Sequence, residues 1–336
     1  MHGLTGPIQD PHGLLSQRIS DLGLRLEGSR LERFVERLRK ELHRKGVRKW
    51  HPSFYLTDEW GCPSGHPIIG IPFYLADPRL AAIERQFNDL ESDAETMMYL
   101  RHEAGHAYNY AYRLYTSPEW RELFGPFRRA YRDHYRPRPF SRAYVRHIAG
   151  WYAQKHPDED FAETFAVWLA PRSGWRKRYR KWPALKKLLY VDRVLKANAD
   201  EEPMRKRGYP DITVDEMAIP LAEFYEHQRE QTAAAVQVEM ESDLPDIFLK
   251  RPGRKKTRPA ADFVLEHREL ITDKIEYWTG VLRPVVRALV ETMAEQCRAA
   301  NLQAEVGKEA RYLVELATYG TTLAMNYLTR GHFEPA

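Results

Sequence analysis

The chain has 336 residues, 43% hydrophobic and 12% aromatic, which is enough to bury a sizeable core and too apolar for a disordered protein. It has no run of about 18 apolar residues to cross a membrane, and its start, MHGLTGPIQDPHGLL, lacks the charged and apolar regions of a secretory signal. The formal charge is +5, and two distant cysteines, Cys62 and Cys297, exclude a disulfide framework and a thiolate metal site, so a cytoplasmic protein is expected.

Residues 1–22, rich in Gly, Pro and Asp, read as a flexible lead-in. Leu31, Phe34, Val35, Leu38 and Leu42 recur at helical spacing up to a stop at Gly46. Two β-like runs follow, FYLTDEW (54–60) and PIIGIPFYL (67–75), separated by turn residues. Pro72 cannot donate to a ladder and argues for an edge strand. Asp77-Pro78 opens a helix. Ser92-Asp93-Ala94-Glu95 is a capping box that starts another, expected to run to Tyr115. Ser117-Pro118 begins a short helix ended by Gly125, and YRPRPFS (135–141) is non-helical. Helical patterns resume over 141–154, 158–171 and 183–197.

Residues 211–247 read as helical with polar faces. Residues 262–330 carry apolar positions at helical spacing from Val264 to Leu328, interrupted at Gly280 and Pro284. The expected organisation is a catalytic domain over 23–200, a helical extension over 201–249, a basic linker over 250–260 and a helical bundle or hairpin over 261–336. The basic runs WRKRYRKW (175–182) and KRPGRKKTRP (250–259) read as a solvated face and a linker, since no nucleic-acid-binding signature accompanies them.

Chemistry enters with RHEAGH (101–106). His102 and His106, at i and i+4, share one helical face and can reach a single metal ion, while Glu103 stands beside that face to take a proton from a water. This is the HExxH arrangement of zinc hydrolases. Catalytic zinc usually takes three protein ligands and an open position, so one ligand must come from elsewhere. HPDEDFAETFAVWL (156–169) offers it. In a helix starting near Asp158, the acids at 159 and 163 border the apolar face of Phe161, Phe165, Trp168 and Leu169. Asp160 points about 100° away, toward solvent. Asp158 reads as the helix start, and His156 as a further capping residue.

The pairing of HExxH with a downstream ExxxE helix resembles the gluzincin group of zinc metallopeptidases. That resemblance implies Glu159 as third ligand and Glu163 as the acid orienting a zinc-binding histidine. EDFAETF is similar to the helix of the anthrax lethal factor and Pro-Pro endopeptidase group. RHEAGHAYNYAYRLY with the EDFAETFAVWL helix resembles, more closely, bacterial proteins described as putative zinc-binding metallopeptidases, strongly over about residues 50–170 and weakly in the C-terminal third. Those relatives place a tyrosine seven residues before the glutamate ligand, here Tyr152, whose hydroxyl can stabilise an oxyanion. Tyr144 and His147 are alternatives. Tyr108, Tyr110, Tyr112 and Tyr115 read as packing, and His134 and His147 as ordinary histidines.

The expectation is an α+β, mainly α protein. It has a zincin-like catalytic domain with a small N-terminal sheet, one of whose edges can pair with extended substrate. The expected function is a zinc metallopeptidase acting on a peptide or protein through a zinc-activated water, with Glu103 as general base. The alternative is a zinc-containing binding protein that works through its basic linker and helical C-terminal region.

Overall fold

The computed structural model describes residues 9–10, 12–88, 90–132, 134–236, 238, 240, 243–251 and 256–333. Residues 1–8 and 11 of the expected lead-in, and 252–255 of the expected linker, lie outside them. The protein is α+β and mainly α. Its contacts divide it into two units, one made of Ile8–Arg132 with Arg138–Phe224, the other mainly of Tyr225–Ala336.

In the first unit, α1 (Leu31–Arg44) buries the stripe Leu31, Phe34, Val35, Leu38 and Leu42, and the chain turns away at Gly46 with φ +88°. Strands β1 (Ser53–Thr57) and β2 (Ile68–Pro72) pair in parallel, from Ser53 opposite Ile68 to Thr57 opposite Pro72. The connection between them folds back so that Gly70 N–H donates to the Gly61 carbonyl at 2.7 Å. One neighbour of β2 is therefore β1, and the other, at Gly70, is Gly61. Helix α2 (Pro78–Phe87) is capped by Asp77, whose side chain accepts from Arg79 N. Helix α3 (Asp93–Tyr112) starts at the Ser92–Glu95 capping box and stops three residues before Tyr115, because Arg113 turns left-handed with φ 50°. Helix α4 (Pro118–Phe124) is capped by Ser117. Helices α5 (Pro157–Leu169), α6 (Trp175–Arg178) and α7 (Leu185–Ala197) follow.

All thirteen residues of α5 are buried, which makes it the central helix of this unit. It crosses α3 at Gly105, where a Cβ would stand 2.7 Å from the Ala162 Cα and 3.1 Å from the Phe165 Cβ. The expected helix over 141–154 is absent apart from a 3-10 turn at Tyr152–Gln154. The backbone N–H groups of His147 and Ile148 instead donate to the Glu163 carboxylate at 3.1 and 3.0 Å, and a helix there would spend those donors on its own ladder. Residues 201–220 are also largely non-helical. They pair with an N-terminal stretch through Ile19 N to Ile219 O (3.1 Å) and Ser20 N to Met217 O (3.0 Å), with Ile19 fully buried.

Helix α8 (Leu221–Ala235) carries the chain onward. The second unit contains α9 (Leu244–Ile247), β3 (Thr257–Pro259), α10 (Ala260–Glu266), α11 (Arg268–Thr279), α12 (Arg283–Ala299), β4 (Gln303–Glu305) and α13 (Glu309–Arg330). Strands β3 and β4 pair antiparallel. Its core includes Phe248, Phe263, Val264, Ile275, Leu289, Met293, Leu316 and Leu323. Gly280, left-handed at φ 73°, ends α11, and Pro284 sits in the first turn of α12, as the sequence implied.

Candidate metal centre

The two histidines and Glu159 of the α5 helix come together at the α3–α5 crossing. His102 Nε2 and His106 Nε2 are 3.1 Å apart, and Glu159 Oε2 lies 2.9 Å from the first and 3.2 Å from the second. All three residues are buried. Donor atoms around one tetrahedral zinc, at about 2.0–2.2 Å each, stand roughly 3.3 Å from one another. Two imidazoles and a carboxylate at this spacing fit that ion.

The outer nitrogen of each ring is held as well. His102 Nδ1 lies 3.0 Å from Glu163 Oε1, and His106 Nδ1 lies 2.9 Å from Asp158 Oδ2. An ionised carboxylate can only accept, so each Nδ1 carries a proton and each Nε2 is turned toward the shared point. Burial opposes the charging of His102, but Glu159 and Glu163 outweigh it and lift its pKa to about 9. A metal cation entering here therefore displaces protons.

Glu103 is 7% exposed, and its carboxylate makes no hydrogen bond among the described residues. Burial raises its pKa, against the pull of His102 and His106. The Tyr152 ring stands edge-on to His102, with centroids 5.6 Å apart. Burial and then the Glu159 charge push its phenol well above the ordinary value, so it stays a neutral donor. Tyr144 lies apart from the cluster, with Lys187 Nζ 4.3 Å above its ring. His147 packs beside Glu163, and its Nε2 is 2.9 Å from the Met98 carbonyl.

Two readings of the acidic stretch need correction. Asp158 is not merely a helix start: His156 is the N-cap, and Asp158 is buried, accepting from His106, from Asn109 Nδ2 at 2.8 Å and from the Tyr110 hydroxyl. Asn109 and Tyr110 follow His106 by three and four residues and share its helical face, a spacing visible in the sequence. Asp160 does not face solvent. It is 2% exposed and paired with Lys187 of α7, because α5 has no solvent side. Tyr131, which no local pattern singles out, donates to Glu159 Oε1 at 2.9 Å.

The comparisons with known proteins bear on this region. Residues 63–174 match a family model described as "Putative zinc-binding metallo-peptidase". The matched third of the chain contains α3, α5 and the whole His-His-Glu cluster. No curated protein and no solved structure matches the chain. No helix among the described residues is long and apolar enough to cross a membrane.

Proposed function

We propose that the protein is a zinc-dependent metallopeptidase. His102, His106 and Glu159 are the ligands, Glu103 is the general base, and a peptide or protein is the substrate. One observation carries the reading: a buried carboxylate, Glu103, makes no hydrogen bond among the described residues, next to a three-donor cluster whose every other polar atom is held. A structural zinc site usually has four protein ligands and no use for such a group. The family match over 63–174 and the gluzincin-like order of the two motifs support the same conclusion.

A zinc ion in this cluster supplies Lewis acidity to a carbonyl and lowers the pKa of a water. The residues do the rest. Glu103 takes a proton as the water oxygen bonds to the carbonyl carbon, and returns it to the amine nitrogen as the C–N bond breaks. The Tyr152 phenol donates to the oxygen where negative charge develops. Glu163 and Asp158 keep both imidazoles in the tautomer and orientation the ligands need.

The test pairs metal analysis with cleavage. Purified wild type should carry about one zinc per chain and cut peptides in a proteome-derived library. Glu103→Gln should keep the zinc and lose at least about a hundredfold in rate. A zinc-loaded wild type that cuts nothing, or a Glu103→Gln variant that cuts equally well, refutes the assignment.

A further inference from the structure

Glu159 is gripped at both ends. Its Oε2 faces the two imidazoles, while its Oε1 turns outward and accepts the Tyr131 hydroxyl at 2.9 Å. Tyr131 lies in the coil between α4 and α5 and is 51% exposed, yet its ring is fixed on several sides. Lys155 Nζ sits 4.5 Å above the ring centroid, and the His156 ring is 5.4 Å away. The backbone next to it is fastened to the start of α5 as well. The Arg129 carbonyl is bonded by His156 Nε2 at 2.8 Å, and Arg129 Nη2 donates to the Lys155 carbonyl at 3.3 Å.

We propose that Tyr131 is a positioning residue that limits Glu159 to one-oxygen coordination of the metal. A carboxylate ligand can offer one oxygen or both. The choice sets whether the ion has four or five neighbours and how much room and acidity it keeps for a reactant. A phenol hydrogen bond on Oε1 uses a lone pair that would otherwise turn inward, and it fixes the carboxylate plane with Oε2 toward the imidazoles. The Glu163 and Asp158 contacts set the histidine rings in the same way, so all three ligands carry an outer restraint. Only the Tyr131 restraint comes from a half-exposed loop residue.

This inference rests on the cluster holding a metal, and its test separates the two claims. Zinc affinity is measured on the full chain by competition with a chromophoric chelator, for wild type, Tyr131→Phe and Tyr144→Phe. The visible spectrum of each cobalt(II)-loaded protein is recorded beside it. Tyr131→Phe should bind zinc about 10–100-fold more weakly, and its cobalt bands should lose intensity as the coordination number rises. Tyr144→Phe, the same atom deleted away from the cluster, should match wild type in both. A purely structural Tyr131 would change stability but leave the cobalt spectrum of the folded protein unaltered. That unaltered spectrum, together with unchanged zinc affinity, overturns this inference alone. A wild type that takes up neither ion overturns the metal centre along with it.

Discussion

Asp158 shows what one side chain does when its neighbours come from a second helix. Its two oxygens receive His106 Nδ1, Asn109 Nδ2 and the Tyr110 hydroxyl, all from one face of α3. Asp158→Asn removes the charge that holds the His106 ring and puts an amide donor among three donors. Zinc affinity should fall about 10–100-fold, the usual effect of losing a partner behind a ligand. Isothermal titration with zinc would measure this, and an unchanged dissociation constant would show that the contact does not position His106. The HExxH spacing was readable from sequence because i and i+4 on a helix are neighbours wherever the helix sits. The second partner was not readable, because Asp158 meets His106 only through the α3–α5 crossing. The misreading of Asp160 has a related cause. Helical phase sorts residues into core and solvent sides only when a solvent side exists, and α5 has none.

At the scale of elements, the site depends on how closely α3 and α5 approach, and Gly105 sets that distance. An Ala Cβ there would stand 2.7 Å from the Ala162 Cα and 3.0 Å from its carbonyl oxygen, both backbone atoms that cannot swing aside. In an exposed helix the same Gly→Ala change gains about 1 kcal/mol in propensity. Here overpacking reverses the sign, and Gly105→Ala should cost about 1–3 kcal/mol while weakening zinc binding, since the Glu159 helix is pushed from the histidine helix. Urea denaturation and zinc titration together read both effects, and a stabilised variant would contradict the close crossing. Helix α7 is tied to α5 by Asp192, which accepts from the Trp168 indole at 3.0 Å, from Arg176 at 2.7 Å and from Lys196 at 2.9 Å. Burial alone would raise its pKa, but Lys196, Trp168 and Arg176 together hold it below the ordinary value. A depressed carboxylate stabilises the fold above its unfolded pKa of about 3.9, and that contribution fades as pH falls through the lower folded value. Asp192→Asn should therefore be about 1 kcal/mol less stable than wild type at pH 7, and the gap should narrow below the unfolded pKa and close as pH falls through the lower folded value. Caps and turns at Ser92, Asp77, Ser117 and Gly280 were legible because their chemistry is local. The 141–151 loop was not, because Glu163 of a distant helix satisfies its amides.

At the scale of the molecule, the cluster lies wholly within one of two units, and each unit has a hydrophobic core of its own. The cluster is made from α3 and α5 of the first, with the loop bearing Tyr131, while the bundle of α10 to α13 contributes none of the described contacts to it. A ligand that binds only folded protein stabilises the cooperative unit that holds it. At a free concentration a hundred times its dissociation constant, the gain is about 2.7 kcal/mol. For a unit of this size that amounts to roughly 5–10 °C in melting temperature. Calorimetry of the chelator-treated chain should thus show two transitions, and adding zinc should move one of them by this amount and leave the other in place. Glu159→Ala should abolish the movement. A single transition that shifts as a whole would mean that the helical bundle melts with the unit that holds the cluster. In that case a bundle mutation at Leu316 or Met293 would weaken zinc binding, and with two separate transitions it would not.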